Sequence, residues 1–288
     1  MRVAGAPISW GVCEVPGWGH QLAPDRVLGE VRALGLAATE LGPAGFLPGD
    51  PREAAGLLDA YGIAAVGGFV PLVLHDRDGD ELLARLAPLL DAYAVLGAGT
   101  LVLAAVGGQD GYDRRVRLDD GQWRSLLANL DRVAAAAAAR GVVATLHPHV
   151  GTVVERPDEV HRVLGGCAIR LCLDTGHLLV GGGDPVELAA KAGDRVAHAH
   201  LKDVDGALAG AVRRGERGYA EAVRQGMFRP LGQGDLDVAG VVAGLDAAGY
   251  RGWYVLEQDT MLDEEPAPGA GPIADVRASL DFLAGLAA

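Results

Sequence analysis

Residues 170–177 read R-L-C-L-D-T-G-H, and residues 196–203 read V-A-H-A-H-L-K-D. Each is a short apolar run that ends in groups able to hold a divalent cation. Side chains two apart on a strand point the same way, so His198 and His200 share one face. Asp174 and His177 sit where the first run breaks at Gly176, which places them at a strand end turning into a loop. An oxygen ligand and imidazoles arriving from two neighbouring strand ends make a divalent-metal site. The rest of the chain reads as the scaffold that brings those ends together.

Similar runs recur outward from this pair. The strand candidates are Val3–Ile8, Ala37–Leu41, Ala64–Val70, Thr100–Ala105, Val142–His147, Ile169–Asp174, Ala197–Leu201 and Trp253–Glu257. Helical stretches lie between them. Pro24 and Asp25 open VLGEVRALG, and Asp50 opens PREAAGLLDAYG; both runs stop at glycine, the expected helix punctuation. Glu81–Leu96 is amphipathic, and Trp123–Arg140 carries six consecutive alanines, a strongly helix-favouring run. Pro157–Leu164, Pro185–Ala192, Leu236–Ala248 and Ile273–Leu286 complete the set. Near-continuous apolar strands alternating with helices predict an α/β fold, a single (β/α)8 barrel spanning residues 1–288. An open doubly wound sheet is the runner-up, weakened because no G-x-G-x-x-G follows the first strand.

In such a barrel the chemistry sits at the C-terminal ends of the strands. Ser9-Trp10, Glu40, His147 and His149, Asp174 and His177, His198 and His200, and Glu257 all fall there. The longer connections on that face are Pro71–Asp80, Val106–Asp120 and Val204–Gly234. The last carries Arg213, Arg214 and Arg217 and is a candidate lid.

Composition narrows the partners. Half of the 288 residues are hydrophobic, enough for a sizeable core, and the formal net charge is −13 without a basic cluster. That balance argues against nucleic acid and against anionic membrane surfaces. Cys13, Cys167 and Cys172 form no CxxC pair, which fits a reduced setting. No signal peptide or membrane-spanning run is expected, so the sequence predicts a cytoplasmic protein acting on a small molecule.

The motifs C-L-D-T-G-H, H-A-H-L-K-D and P-L-G-Q-G-D, closed by Y-V-L-E-Q-D, resemble the xylose isomerase-like TIM barrels, the sugar phosphate isomerase/epimerase superfamily. The opening P-I-S-W-G and the segment H-P-H-V-G-T-V-V-E look most like its inosose dehydratase branch. The resemblance implies a divalent metal, most commonly Mn2+, Co2+ or Mg2+, held by a carboxylate from the fifth strand, an aspartate, a histidine and a glutamate. Carried over by motif, the last three are Asp174, His200 and Glu257. The fifth-strand carboxylate is replaced: a family E-N-H pattern stands here as His147-Pro148-His149. His147 then takes the ligand position, which shifts the site toward nitrogen donors and admits Zn2+; Glu155 is a further candidate from the loop. Barrels of this kind often form dimers or tetramers, so a homo-oligomer is expected.

The activity that the resemblance implies is dehydration of a keto-cyclitol such as 2-keto-myo-inositol. The alternative is a sugar (phosphate) isomerase or ketose epimerase on the same metal site. Both remove a weakly acidic proton beside a carbonyl, which a Lewis-acidic metal and a positioned base make feasible. Glu257 is expected as a ligand with base character, and His177 and His149 as acid, base or substrate contacts. Lys202 and Glu40 are candidates for orienting hydroxyls, and Trp10 for an apolar wall against the ring. A repair endonuclease of the same barrel type would need further zinc ligands and a basic groove, against the acidic balance.

Overall fold

The computed structural model describes residues 1–76, 78–109 and 111–286. Arg77 and Asp110, within the two loops named above, and the last two residues lie outside the described set. In chain order the strands are β1 (Arg2–Gly5), β2 (Ala38–Thr39), β3 (Ala64–Ala65), β4 (Gly67–Leu72), β5 (Thr100–Ala105), β6 (Val143–Leu146), β7 (Arg170–Asp174), β8 (Val196–Leu201), β9 (Asp203–Val204), β10 (Phe228–Arg229) and β11 (Trp253–Leu256). The helices are α1 (Pro24–Ala33), α2 (Pro51–Tyr61), α3 (Gly79–Leu96), α4 (Asp120–Ala138), α5 (Pro157–Gly166), α6 (Thr175–Val180), α7 (Pro185–Ala192), α8 (Gly206–Arg213), α9 (Tyr219–Arg224), α10 (Val238–Ala247) and α11 (Pro272–Leu286).

The large sheet runs β3-β2-β1-β11-β8-β7-β6-β5-β4, every pair parallel. Its two ends, β3 and β4, are one strand interrupted at Val66. The Val66 N–H donates to Thr39 O (3.0 Å), and its carbonyl accepts from Thr100 N–H (3.1 Å), so this residue closes the ring. The chain therefore folds as the expected (β/α)8 barrel. Parallel strands buried on both faces explain why β5 reads T-L-V-L-A-A with no polar alternation.

Two apolar layers position the site. Between strands and helices lies the main core, which includes Leu101, Leu103, Leu146, Leu171, Leu173 and Leu201. Inside the barrel the filling is small: Ala4, Ala6, Ala38, Val66 and Val255. Small residues leave room for larger polar side chains beside them, where the inward positions of β8 carry His198 and His200.

The Val204–Gly234 connection is more ordered than a lid loop. It contains β9, α8, α9 and β10, with β9 and β10 paired antiparallel. Tyr219, Ala222, Val223, Met227 and Phe228 pack with Trp18, Val150 and Val180 in a separate apolar cluster. The segment is a helical cap with its own core. Its three arginines are engaged locally: Arg214 pairs with Glu216 and Arg217 with Glu221 on the surface, and Arg213 Nη1 donates to the Leu179 carbonyl at 3.4 Å. The motif P-L-G-Q-G-D is laced to Asp203, whose carboxylate accepts the N–H groups of Gly232 (2.8 Å), Gly234 (2.9 Å), Leu236 (3.1 Å) and Val204 (2.8 Å). A Cβ at Gly234 would stand 2.3 Å from Asp203 Oδ1, so this approach requires glycine. No helix among the described residues is long and apolar enough to cross a membrane.

Candidate metal centre

The period of two on a strand builds the site. On β8 and the residue after it, His198, His200 and Lys202 share the inward face and rise in that order toward the mouth. Register places Asp174 of β7 beside His200, and Cys172 beside His198. Val255 of β11 lies on the other side of His200, so Glu257, two residues on, comes level with Lys202. Glu40 follows β2, and His147 follows β6.

Asp174 divides its two oxygens between folding and the site. Its Oδ1 accepts the His177 N–H at 2.8 Å and caps α6. Its Oδ2 lies 3.2 Å from His147 Nε2, 3.5 Å from His200 Nδ1 and 3.5 Å from Lys202 Nζ. Burial pushes this carboxyl up, but Lys202, His177 and His147 outweigh it and hold Asp174 well below the usual carboxylate range. Glu257 Oε2 is 3.1 Å from His200 Nδ1 and 2.7 Å from Lys202 Nζ. There too burial raises the carboxyl, and His200 and Lys202 bring it down to about 2.

Glu40 occupies the far side of His200. Its Oε1 lies 3.0 Å from His200 Nε2 and 2.8 Å from His198 Nε2. Burial would raise Glu40, yet His200 and His198 hold it well below the ordinary value. A carboxylate on Nε2 fixes a hydrogen there, so Nδ1, which faces Asp174 and Glu257, is the ring nitrogen that a cation would take. Sequence reading offers Glu40 for substrate hydroxyls; the structure engages it with the two histidines, although it also lines the pocket wall.

Whether these residues suit a divalent cation is answered by their nitrogens. Buried ring nitrogens normally find a partner, but His147 Nδ1 and both nitrogens of His177 have no hydrogen-bond partner among the described residues, and His200 Nδ1 meets the carboxylates of Asp174 and Glu257. The ligand atoms of Asp174, His200 and Glu257 lie within 4.8 Å of one another, as do those of His147, Asp174 and His177. Two carboxylates and unpartnered imidazoles around one point fit a divalent cation with mixed nitrogen and oxygen preference.

A cavity of about 530 Å3 opens onto this cluster. His147, His149, His177, Lys202, Glu257 and Asp259 face it, and Ile8, Leu41, Phe69 and Tyr112 contribute apolar wall. His149 Nδ1 donates to the Val150 carbonyl at 2.7 Å, so its Nε2 is an acceptor. Burial, reinforced by His147, depresses His149 to about 3. Burial, with His149 beside it, also keeps His177 well below its ordinary value; the two rings are 3.7 Å apart. Gly176 makes this packing feasible, since a Cβ there would meet the Lys202 and Phe228 side chains at 2.8 Å.

Residues 28–286 match the family described as Xylose isomerase-like TIM barrel. The chain belongs to that family. It is 34% identical over 279 residues to the inosose dehydratase of Geobacillus kaustophilus (strain HTA426), covering 93% of this chain and 89% of that one. It is 33% identical over 296 residues to the rhizopine catabolism protein MocC of Rhizobium meliloti, covering 100% and 89%. Among solved structures, the IOLI protein with a binding zinc atom superposes with a TM-score of 0.70 at 14% identity, covering 99% of this chain and 98% of that one.

Within this family member, two expected site residues lie elsewhere. Trp10 is 0% exposed in the main core, and its Nε1–H donates to Glu30 Oε2 at 2.9 Å. The segment P-I-S-W coils into a short 3-10 turn, Pro7–Trp10, which turns the indole away from the pocket. It is not a wall for a substrate ring. Glu155 is taken up by the Gly151 N–H (2.8 Å) and Arg115 Nε (2.8 Å) in the loop after β6, so it neither meets the cluster nor lines the cavity. Conversely, Asp259 and Tyr219 join the site unforeseen. Lys202 Nζ is 2.6 Å from Asp259 Oδ1, and the Tyr219 hydroxyl donates to Asp259 Oδ2 at 2.5 Å. Asp259 lies two residues beyond Glu257, and that period was a usable signal; Tyr219, in the cap, offered none.

Proposed function

We propose that the protein is a metal-dependent dehydratase, a carbon-oxygen lyase acting on a keto-cyclitol such as 2-keto-myo-inositol. The observation that carries this reading is one pocket holding a carboxylate–imidazole cradle, an ammonium and two unprotonated histidines, in a chain 34% identical to an inosose dehydratase. Asp174, His200 and Glu257 would hold the cation, with His147 beside Asp174 as fourth ligand. A divalent ion held there supplies Lewis acidity toward a carbonyl oxygen. Mn2+ is the ion we favour; Co2+ and Zn2+ suit the same nitrogen-rich set better than Mg2+ does.

The protein's own groups supply the proton movements. His149, with a bare Nε2 facing the cavity and a depressed basicity, is unprotonated at neutral pH and accepts the proton next to the carbonyl. His177 offers two unpartnered nitrogens to ring hydroxyls. Burial opposes the charge on Lys202, but Asp174, Asp259 and Glu257 keep its ammonium protonated far up the pH scale. It donates to the departing hydroxyl, which leaves as water. Glu40 acts through His200 and not on the substrate. The acidic surface and three free cysteines suit a small-molecule enzyme of the cytoplasm.

Proton NMR in D2O on the protein given 2-keto-myo-inositol, with and without Mn2+, tests the assignment. Metal-dependent appearance of the dehydrated diketone or its enol is expected. Deuterium entering an unchanged or epimerised ring would overturn the lyase reading in favour of an isomerase or epimerase at the same site.

A further inference from the structure

Lys202 is placed among three carboxylates, and they are not equivalent. Its Nζ lies 2.7 Å from Glu257 Oε2 and 3.5 Å from Asp174 Oδ2, two oxygens offered to the cation. It lies 2.6 Å from Asp259 Oδ1, which is not within the metal cluster. An ammonium on Glu257 and Asp174 competes with a divalent ion for the same negative charge, and at these separations inside a protein the competition is strong. Both Asp259 oxygens accept a donor, Oδ1 from Lys202 and Oδ2 from the Tyr219 hydroxyl, so the group is set as an anion with its orientation fixed. Tyr219 is 1% exposed and belongs to α9 of the cap.

We propose that Asp259, braced by Tyr219 from the cap, is a positioning residue that takes a share of the Lys202 ammonium from the metal carboxylates and thereby sets metal affinity. The inference rests on Asp174 and Glu257 being metal ligands, and it assigns a task to the cap: α9 holds the anion that holds the lysine. Without Asp259, the ammonium has only Asp174 and Glu257 left to pair with. With Asp259 in place, it divides its charge between Asp259 at 2.6 Å and Glu257 at 2.7 Å and stays 3.5 Å from Asp174.

Isothermal titration of the metal-stripped protein with Mn2+ alone tests this without reference to turnover. Asp259→Asn should weaken Mn2+ binding by about tenfold, the scale of one hydrogen bond to a charged group. Tyr219→Phe, which keeps the ring and removes the hydroxyl, should weaken it by about threefold on the same scale. The deciding variant is Asp259→Asn combined with Lys202→Met, in which Mn2+ affinity should return to or exceed that of the parent. Unchanged affinity in Asp259→Asn overturns the proposal. So does an equal loss in the Lys202→Met background, which would mean that Asp259 attracts the cation directly. A parent protein that binds no Mn2+ overturns the metal reading itself, and this inference with it. Circular dichroism of each variant, expected to match the parent, keeps a folding defect from imitating the loss.

Discussion

At the scale of single residues, Glu40 shows how a side chain can serve the site without meeting the reaction centre in the way its position suggests. Glu40 ends a strand facing inward, and its two contacts are His198 and His200. Replacing it with glutamine leaves the shape and removes the charge that fixes the His200 hydrogen on Nε2. Partners of metal-bound histidines typically contribute 10–100-fold in affinity, so Glu40→Gln should lose Mn2+ affinity by about that factor, read by titration. For His149 the consequence concerns pH. With a native value of about 3 against an ordinary 6.5, this imidazole binds fewer protons folded than unfolded throughout that interval. Stability contributed by the neutral ring is therefore full above pH 6.5 and falls as pH drops toward 3. By pH 5 the loss amounts to about 2 kcal/mol. His149→Gln should flatten the dependence of the urea midpoint between pH 7 and 5 relative to the parent; an unchanged slope would show that the ring does not cause it.

Among the elements, the barrel strands were legible because a parallel strand buried on both faces has no polar alternation to confuse it, as in T-L-V-L-A-A. His198 and His200 were legible as a pair for the opposite reason, since two polar groups interrupt such a run at a period of two. Trp10 was misread because a strand end was expected to continue outward, whereas Pro7 starts a 3-10 turn there. Glu155 was misread because nothing in H-P-H-V-G-T-V-V-E announces that Gly151 folds back to donate to it. The cap was read as a loop because α8, α9 and β10 are short and take their order from packing against Trp18 and Val150, residues distant in sequence. Asp203 is the element-scale anchor of that arrangement, and it does not pair with Lys202 as an i,i+1 reading would suggest. Asp203→Ala strands backbone N–H groups that now share one carboxylate, at a cost of about 3 kcal/mol. The urea midpoint should fall accordingly with an unchanged slope, and Asp203→Asn should fall by less.

For the whole molecule, the decisive arrangement is vertical. Ala4, Ala6, Ala38, Val66 and Val255, each 2% exposed or less, pack inside the barrel beside the histidines, with Ala4 and Val255 in register with His200. The helical cap covers part of the mouth. The polar cluster thus lies beside small apolar side chains and under a partial roof, and Leu41 and Phe69 help line the cavity that opens onto it. Reactant and product have the same polar groups of that one cavity to bind. Product and reactant then exclude each other. Added product should raise the apparent KM and leave kcat untouched, and mixed or uncompetitive behaviour in initial-rate measurements at several product concentrations would show that product binds elsewhere as well. One chamber thus turns traffic into a queue, and turnover is tied to how quickly product vacates it.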